Sequence, residues 1–339
     1  MKANRFALLL ASGFLVLALL GGSVAARVGP GEGSFRQTLL FSEVFSLVVD
    51  NYVDPVDPEG LLRGALGGMM AGLDAQGAYL SPQEAAGYRE SPASGPADPG
   101  VSVVRGYGGL VVVSVFEGSP AAAEGLTAGD QIRRIDDRPL RDLSLPQALR
   151  LLRGEPGTRV KLDVLKIREG FQRARLELPR VLRTGAAHAV EARGGVTLLR
   201  VRDLSRVSPE AVAADLERAA GAGAGKLLVD VRNVADGSPR DAARLLGLFA
   251  AGDLLVLKDR SGKAVETVRS PGPGSAWRGS IAVLANAGSA SGAEALAGIL
   301  RERRGAVVYG ESTYGLGAEP RLFDLPDGSA LLLSATVWE

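Results

Sequence analysis

The chain has no cysteine and a single histidine, His188, in 339 residues. The first absence excludes disulfides and thiol catalysis, and the two together remove the usual ligand set for zinc. Neither sign of charge prevails. The 39 basic and 38 acidic residues are well mixed and leave a net charge of +1, so no basic face marks a nucleic-acid partner. Internal repeats are absent too, which excludes a solenoid or propeller. What remains is a chain with 46% hydrophobic residues and length enough for two or three domains.

The first 26 residues read as a targeting segment. Lys2 and Arg5 give a basic start, Phe6–Leu20 is almost wholly apolar, and Ser23-Val24-Ala25-Ala26 offers small residues suited to cleavage. The apolar stretch from Phe6 to Ala26 is 21 residues, which is also enough to cross a bilayer uncleaved. A cleaved signal and a retained membrane anchor both place the rest of the chain outside the cytoplasm, in the cell envelope.

Next comes a helical region, 35–90. Helical spacing of Leu39, Leu40, Val44, Leu47 and Val48 predicts a helix over Phe35–Val49, Pro58 opens a second, and Ser81-Pro82-Gln83-Glu84 is a capped start for a third. Residues 91–100 (SPASGPADPG) have the composition of a linker. A β-rich unit follows over 97–182. Its expected strands are Val101–Val104, Leu110–Val115, Gln131–Ile135, Val160–Leu165 and Arg173–Leu178. Ser144 caps an amphipathic helix that turns Leu145, Leu149 and Leu152 inward. From 183 to 339, strand and helix alternate: Val196–Val201, Lys226–Val231, Leu254–Lys258, Ile281–Ala285 and Ala306–Tyr309 are the expected strands. That pattern predicts a mostly parallel sheet covered by helices, with the site at the carboxyl ends of the strands.

The segment Ser289-Ala290-Ser291-Gly292 falls there, on a small-residue turn between strand and helix. Such a turn can expose a serine nucleophile beside free backbone N–H groups. A serine in that position also makes a plain helix N-cap.

The order of parts resembles the C-terminal processing peptidases (tail-specific proteases), from about residue 35 to 339. Asn51-Tyr52-Val53-Asp54-Pro55 and Gly68-Met69-Met70-Ala71-Gly72-Leu73-Asp74 resemble that family's helical region. Gly118-Ser119-Pro120-Ala121, Ala128-Gly129-Asp130 and Leu152-Arg153-Gly154-Glu155-Pro156-Gly157-Thr158 resemble its PDZ domain. Asp230-Val231-Arg232-Asn233, Ser289-Ala290-Ser291 and Gly310-Glu311-Ser312-Thr313-Tyr314-Gly315 resemble its core.

The resemblance implies an α/β chain with a helical N-terminal region, a PDZ domain and a ClpP/crotonase-like peptidase core. It implies serine peptidase chemistry with no cofactor. In the PDZ domain, Gly100, Val101, Ser102 and Val103 would form the carboxylate loop and strand. Protein C-terminal tails would add as a strand against Leu145 and Leu149 of the facing helix. In the core, Ser291 takes the place of the nucleophile, and backbone groups of Gly237, Ala290 and Gly292 that of the oxyanion site.

The base is missing. The family pairs its serine with a neutral lysine. The matching position, 25 residues after Ser291, is Leu316, and the glutamine that supports the lysine is replaced by Pro320. Asp236-Gly237 also stands where the family has two glycines, and a carboxylate there opposes oxyanion charge. Lys226, Lys258, Lys263, His188 and Glu319 are the candidate substitutes, and spacing puts none of them beside Ser291. The sequence therefore admits two readings: a tail-binding pseudopeptidase, pairing with a second copy or an active peptidase, or an envelope peptidase with a substitute base.

Overall fold

The computed structural model describes residues 32–90, 95–106, 108–220, 225–270, 272 and 276–338. The expected leader, 1–26, and residues 91–94 of the expected linker lie outside them. No helix among the described residues is long and apolar enough to cross a membrane.

The chain divides into two compact units, Met1–Leu62 and Arg63–Glu339. In the first, helix α1 (Glu32–Asn51) leaves Phe35, Leu39, Leu40, Val44 and Leu47 exposed. Helix α2 (Pro58–Ala71) starts where the Asp57 carboxylate accepts the N–H groups of Glu59 and Gly60 (3.1 and 3.0 Å), with proline next in line. The division between units falls inside α2. The helical region ends earlier than its sequence suggests: Ala78–Leu80 is a strand, β1, before helix α3 (Pro82–Glu90), and it pairs with the last strand of the chain.

The β-rich part of the second unit is one sheet, β2 (Val101–Gly106), β3 (Gly109–Val115), β4 (Gln131–Ile135), β6 (Arg159–Lys166) and β7 (Gln172–Pro179), paired in that order, with β5 (Arg138–Pro139) on β4. Two helices complete it, α4 (Pro120–Ala123) and α5 (Leu145–Leu152). Strand β2 is at the sheet's edge, so a further strand can add there. Ser144 and Gln147 cap α5 reciprocally, as the S-x-x-Q spacing predicts. Pro146, Ala148 and Leu152 are its buried residues. Leu145 and Leu149 are half-buried, which corrects the expected inward placement of both.

The core is built on a five-stranded sheet in the order β14-β13-β10-β9-β8. Strands β9 (Val196–Val201), β10 (Lys226–Asp230), β13 (Ser280–Ala285) and β14 (Val307–Gly310) are parallel, and β8 (His188–Arg193) is antiparallel at the edge. Helices α6 (Pro209–Ala220), α7 (Pro239–Leu246) and α8 (Gly292–Arg304) bury Val212, Leu216, Leu245, Leu246, Leu296 and Leu300 against it. That placement follows from their 3.6-residue apolar spacing.

The expectation of a mostly parallel sheet holds for these strands but not for Leu254–Lys258. That segment belongs to β11 (Asp253–Lys258), in a second, antiparallel sheet with β12 (Ala264–Arg269), β16 (Ala330–Trp338), β1 and β15 (Ala318–Asp324). An apolar run reports that a strand is buried, not which partner or direction it takes.

Candidate active site

The site lies at the carboxyl ends of β10 and β13. After β13 the chain turns through Asn286–Ser289. The buried Ser289 hydroxyl donates to the Val231 carbonyl (2.8 Å) and accepts the Asn286 N–H (3.1 Å), which pins the turn to the end of β10. Ser291 then enters α8 with φ 52° and ψ −115°, a strained conformation for a residue with a side chain. Its hydroxyl makes no cap hydrogen bond, so Ser291 is not serving as a plain N-cap.

Glu294, three residues on, organises the neighbourhood. Its Oε2 accepts the N–H of Ser291 (2.8 Å) and of Leu316 (2.9 Å), and its Oε1 accepts the N–H of Gly315 (2.6 Å). The Tyr314 N–H also donates to the Ser289 carbonyl (2.9 Å). The loop that would carry the base is thus tied to the nucleophile turn, and Leu316 is brought to it. The leucine side chain packs with Ala290, Ala235, Val104 and Val113, in an apolar contact between core and β-rich sheet. Sequence reading missed Glu294, although S-x-x-E at a helix start is a visible signal. Replacing Glu294 with alanine leaves three N–H groups without their acceptor. Loss of about 2 kcal/mol of stability is expected, together with faster amide hydrogen exchange at Gly315 and Leu316.

Pro320 sits in β15 opposite Ser334, at a register shift, and offers no side-chain hydrogen bond. The expected oxyanion donors are engaged. The Ala290 N–H donates to the Val234 carbonyl (2.9 Å) and the Gly292 N–H to the Gly237 carbonyl (3.2 Å). This corrects their assignment as free donors: Gly237 (φ 80°) is close to the turn, but its carbonyl faces it as an acceptor.

None of the substitute bases reaches Ser291. Glu319 is paired with Arg240 (3.0 Å). His188 lies not in a join but at the start of β8, with Asp215 3.0 Å from its Nε2. Lys226 begins β10, at the end of the sheet away from the site. Lys258 and Lys263 flank the β11–β12 hairpin.

Asp236 is the second departure, and the structure changes its meaning. Arg183 bridges it (3.3 Å) to Asp98 (3.0 Å), with Asp203 at 3.8 Å, while its guanidinium lies 3.5 Å over the Phe116 ring. Burial, then the hydrogen bond and charge of Asp203, push Asp236 up to about 8, against Arg183 and the Leu204 N–H. Burial also raises Asp203. Its hydrogen bonds with Asp236 and Ser205, and the charges of Arg183 and Arg206, outweigh that and hold it below the usual range. At pH 7 Asp236 is therefore a carboxylic acid, not the carboxylate expected beside Gly237.

In the expected peptide loop, the Gly100 N–H donates to Asp98 Oδ1 (2.7 Å), so this donor is engaged as well. Gly100 (φ 91°) must be glycine, because a Cβ would lie 2.1 Å from that of Ser119. Val101 and Ser102 pair with Val115 and Ser114, and Val103 with Val112 after a register shift, all within β2.

A β-rich peptide-binding type of domain joined to an α/β core with a serine on a strand–helix turn defines a PDZ-bearing serine peptidase fold. Residues 195–338 match the profile of peptidase family S41, and residues 111–166 that of a PDZ domain. The carboxy-terminal processing protease CtpA of Bacillus subtilis (strain 168) is 23% identical over 91% of this chain, and CtpB of the same organism 28% over 87%. The chain spans 66% and 62% of the length of these two relatives. The photosystem II D1 C-terminal processing protease shares the fold, with a TM-score of 0.70 at 23% identity over 89% of this chain and 88% of that one. The chain belongs to the PDZ-containing C-terminal processing peptidase family.

Proposed function

We propose that this protein is an envelope tail-binding member of its family in which peptide hydrolysis is weak or lost. The observation that carries this is the position of Leu316. Glu294 ties its N–H to the nucleophile turn, and its side chain fills an apolar cluster with Ala290. A leucine cannot take the serine's proton, and loss of one member of a nucleophile–base pair lowers turnover by about 10⁴ or more. The engaged N–H groups of Ala290 and Gly292 add to this, since an oxyanion needs unpaired donors.

In this reading residues 1–26 export or anchor the chain, residues 97–182 hold free C-terminal tails along the open edge of β2, and residues 183–339 are the peptidase-like core. Gly100, Val101, Ser102 and Val103 supply the loop and strand, and the half-buried Leu145 and Leu149 meet the tail's side chains. Binding a free C-terminus there requires Asp98 to yield its hold on the Gly100 N–H. A second copy of the chain or an active peptidase is the pairing partner.

The test is incubation of the protein with peptides bearing free apolar C-termini, followed by mass spectrometry. Wild type is expected to bind free-acid peptides more tightly than their amides and to release no fragments above the Ser291→Ala background. Cleavage by wild type that disappears in Ser291→Ala sinks the reading in favour of a substitute base.

A further inference from the structure

A crevice of about 630 Å³ opens at the carboxyl ends of the parallel strands, between the PDZ sheet and the core. Clefts at this end of an open α/β sheet are where such folds bind ligands. One end begins at Val115 and Phe116, directly across β3 from Val101 and Gly100. The other reaches Ala287 and Gly288, immediately before the Ser289–Ser291 turn. It therefore runs between the peptide loop and the nucleophile turn.

Four arginines line it: Arg200 and Arg202 from the end of β9, Arg232 from the end of β10, and Arg168 from the β6–β7 hairpin. Three acids face them. Asp230 is buried, and burial alone would raise its pKa. Its bonds with Arg232 and the charges of Arg232 and Arg200 hold it low, so it is ionised. It grips Arg232 through both carboxylate oxygens, at 2.9 Å from Nε and 2.7 Å from Nη2, and lies 3.6 Å from Arg200 Nε. This grip orients two guanidinium groups and leaves them half-exposed at the crevice. Glu117 is exposed and stands off at 3.7 Å from Arg200 and 3.8 Å from Arg202, too far for a hydrogen bond. Glu311 lines the far rim.

A guanidinium oriented by a buried carboxylate is preorganised for a second carboxylate, because its remaining N–H groups keep a fixed fork. The loosely held Glu117 occupies the position such a ligand would take. We propose that this crevice is a subsite for acidic side chains, so that the tails this protein prefers carry Asp or Glu upstream of their C-terminus. The inference rests on the tail-binding reading and names its substrate class.

The test uses the full chain in mild detergent and fluorescein-labelled peptides of one sequence, differing only at two adjacent internal positions: Glu-Glu, Gln-Gln or Lys-Lys. Each is made as free acid and as amide, and binding is read by fluorescence anisotropy. The Glu-Glu peptide is expected to bind about fivefold more tightly than Gln-Gln, and Lys-Lys more weakly than both. The differences should shrink as salt is raised. In Arg168→Gln/Arg202→Gln, whose side chains leave the buried Asp230 pair intact, the Glu-Glu and Gln-Gln peptides should bind alike.

Equal binding of Glu-Glu and Gln-Gln by wild type overturns the subsite and leaves tail binding standing. A Glu preference that survives unchanged in the double variant overturns the crevice as its source. A Glu preference shared equally by free acids and amides keeps the subsite and removes the carboxylate loop instead. No binding of any peptide removes both.

Discussion

Leu316→Lys is expected to gain peptide hydrolysis at least 10²-fold above wild type, the lower end of what a positioned general base contributes. Three features support this magnitude. The backbone at 316 is already fastened to the nucleophile turn through Glu294, so the new side chain starts from a held position. The surroundings are Ala290, Ala235, Val104 and Val113, an apolar pocket that disfavours a charged amine and pushes its pKa down toward the neutral form a base requires. Ser291 keeps the strained φ that presents its side chain at the head of α8.

The same burial makes the substitution destabilising, by about 2–3 kcal/mol, because a packed leucine is exchanged for an amine that must desolvate. Steady-state cleavage of a free-acid peptide, followed by mass spectrometry, checks the gain. Ser291→Ala in the Leu316→Lys background should return it to baseline. A folded Leu316→Lys protein that stays inert would move the cause of inactivity from the missing base to the engaged N–H groups of Ala290 and Gly292.

The second large effect is on stability against pH. Asp236 is held at about 8 in the folded protein, above its usual 3.8, chiefly by burial and then by Asp203. The folded state thus keeps a proton that the unfolded chain releases. The resulting stabilisation is complete below about pH 4 and is lost steadily as pH rises to about 8, by up to ~1.4 kcal/mol per pH unit. Asp203 and Asp230 act with the opposite sign. Their folded pKa values are lowered, so their contribution is present above about 3.8 and is lost only as pH falls further. Between pH 5 and 8 the Asp236 slope therefore stands clear of theirs. Thermal unfolding should show the midpoint falling by about 2–4 °C per pH unit across that window. Asp236→Asn, which stays neutral and can still donate to Asp203, should flatten the slope and be the more stable protein at pH 8. An unchanged slope in Asp236→Asn would assign the proton elsewhere.

Both effects trace to positions where the chain departs from its family, and both departures are visible in the residues. Leu316, Pro320 and Asp236 are read by spacing from Ser291 and from the Asp230–Asn233 motif. Helix starts at Pro58, Ser81, Ser144 and Ser208 are equally legible. Capping is local chemistry, written within four residues of chain. The strands of the parallel sheet are legible for a similar reason, since β9, β10 and β13 are short apolar runs between turn signals.

What the residues by themselves determined is the family, the succession of elements, and the absence of a lysine where its serine needs one. Tertiary structure alone decided the rest, because it depends on contacts between segments far apart in the chain. Strand β11 reads like its parallel neighbours yet pairs antiparallel with β16, since periodicity carries no partner. Arg183 meets Asp98, Asp203 and Asp236 across up to 85 positions of sequence, and only that meeting makes Asp236 an acid at neutral pH. Glu294 reaches 22 positions to hold Leu316, and N–H groups that the sequence offers to an oxyanion are taken by carbonyls of the Val234–Gly237 loop. A hydrogen-bond donor is a property of one residue, but whether it is free is a property of the fold.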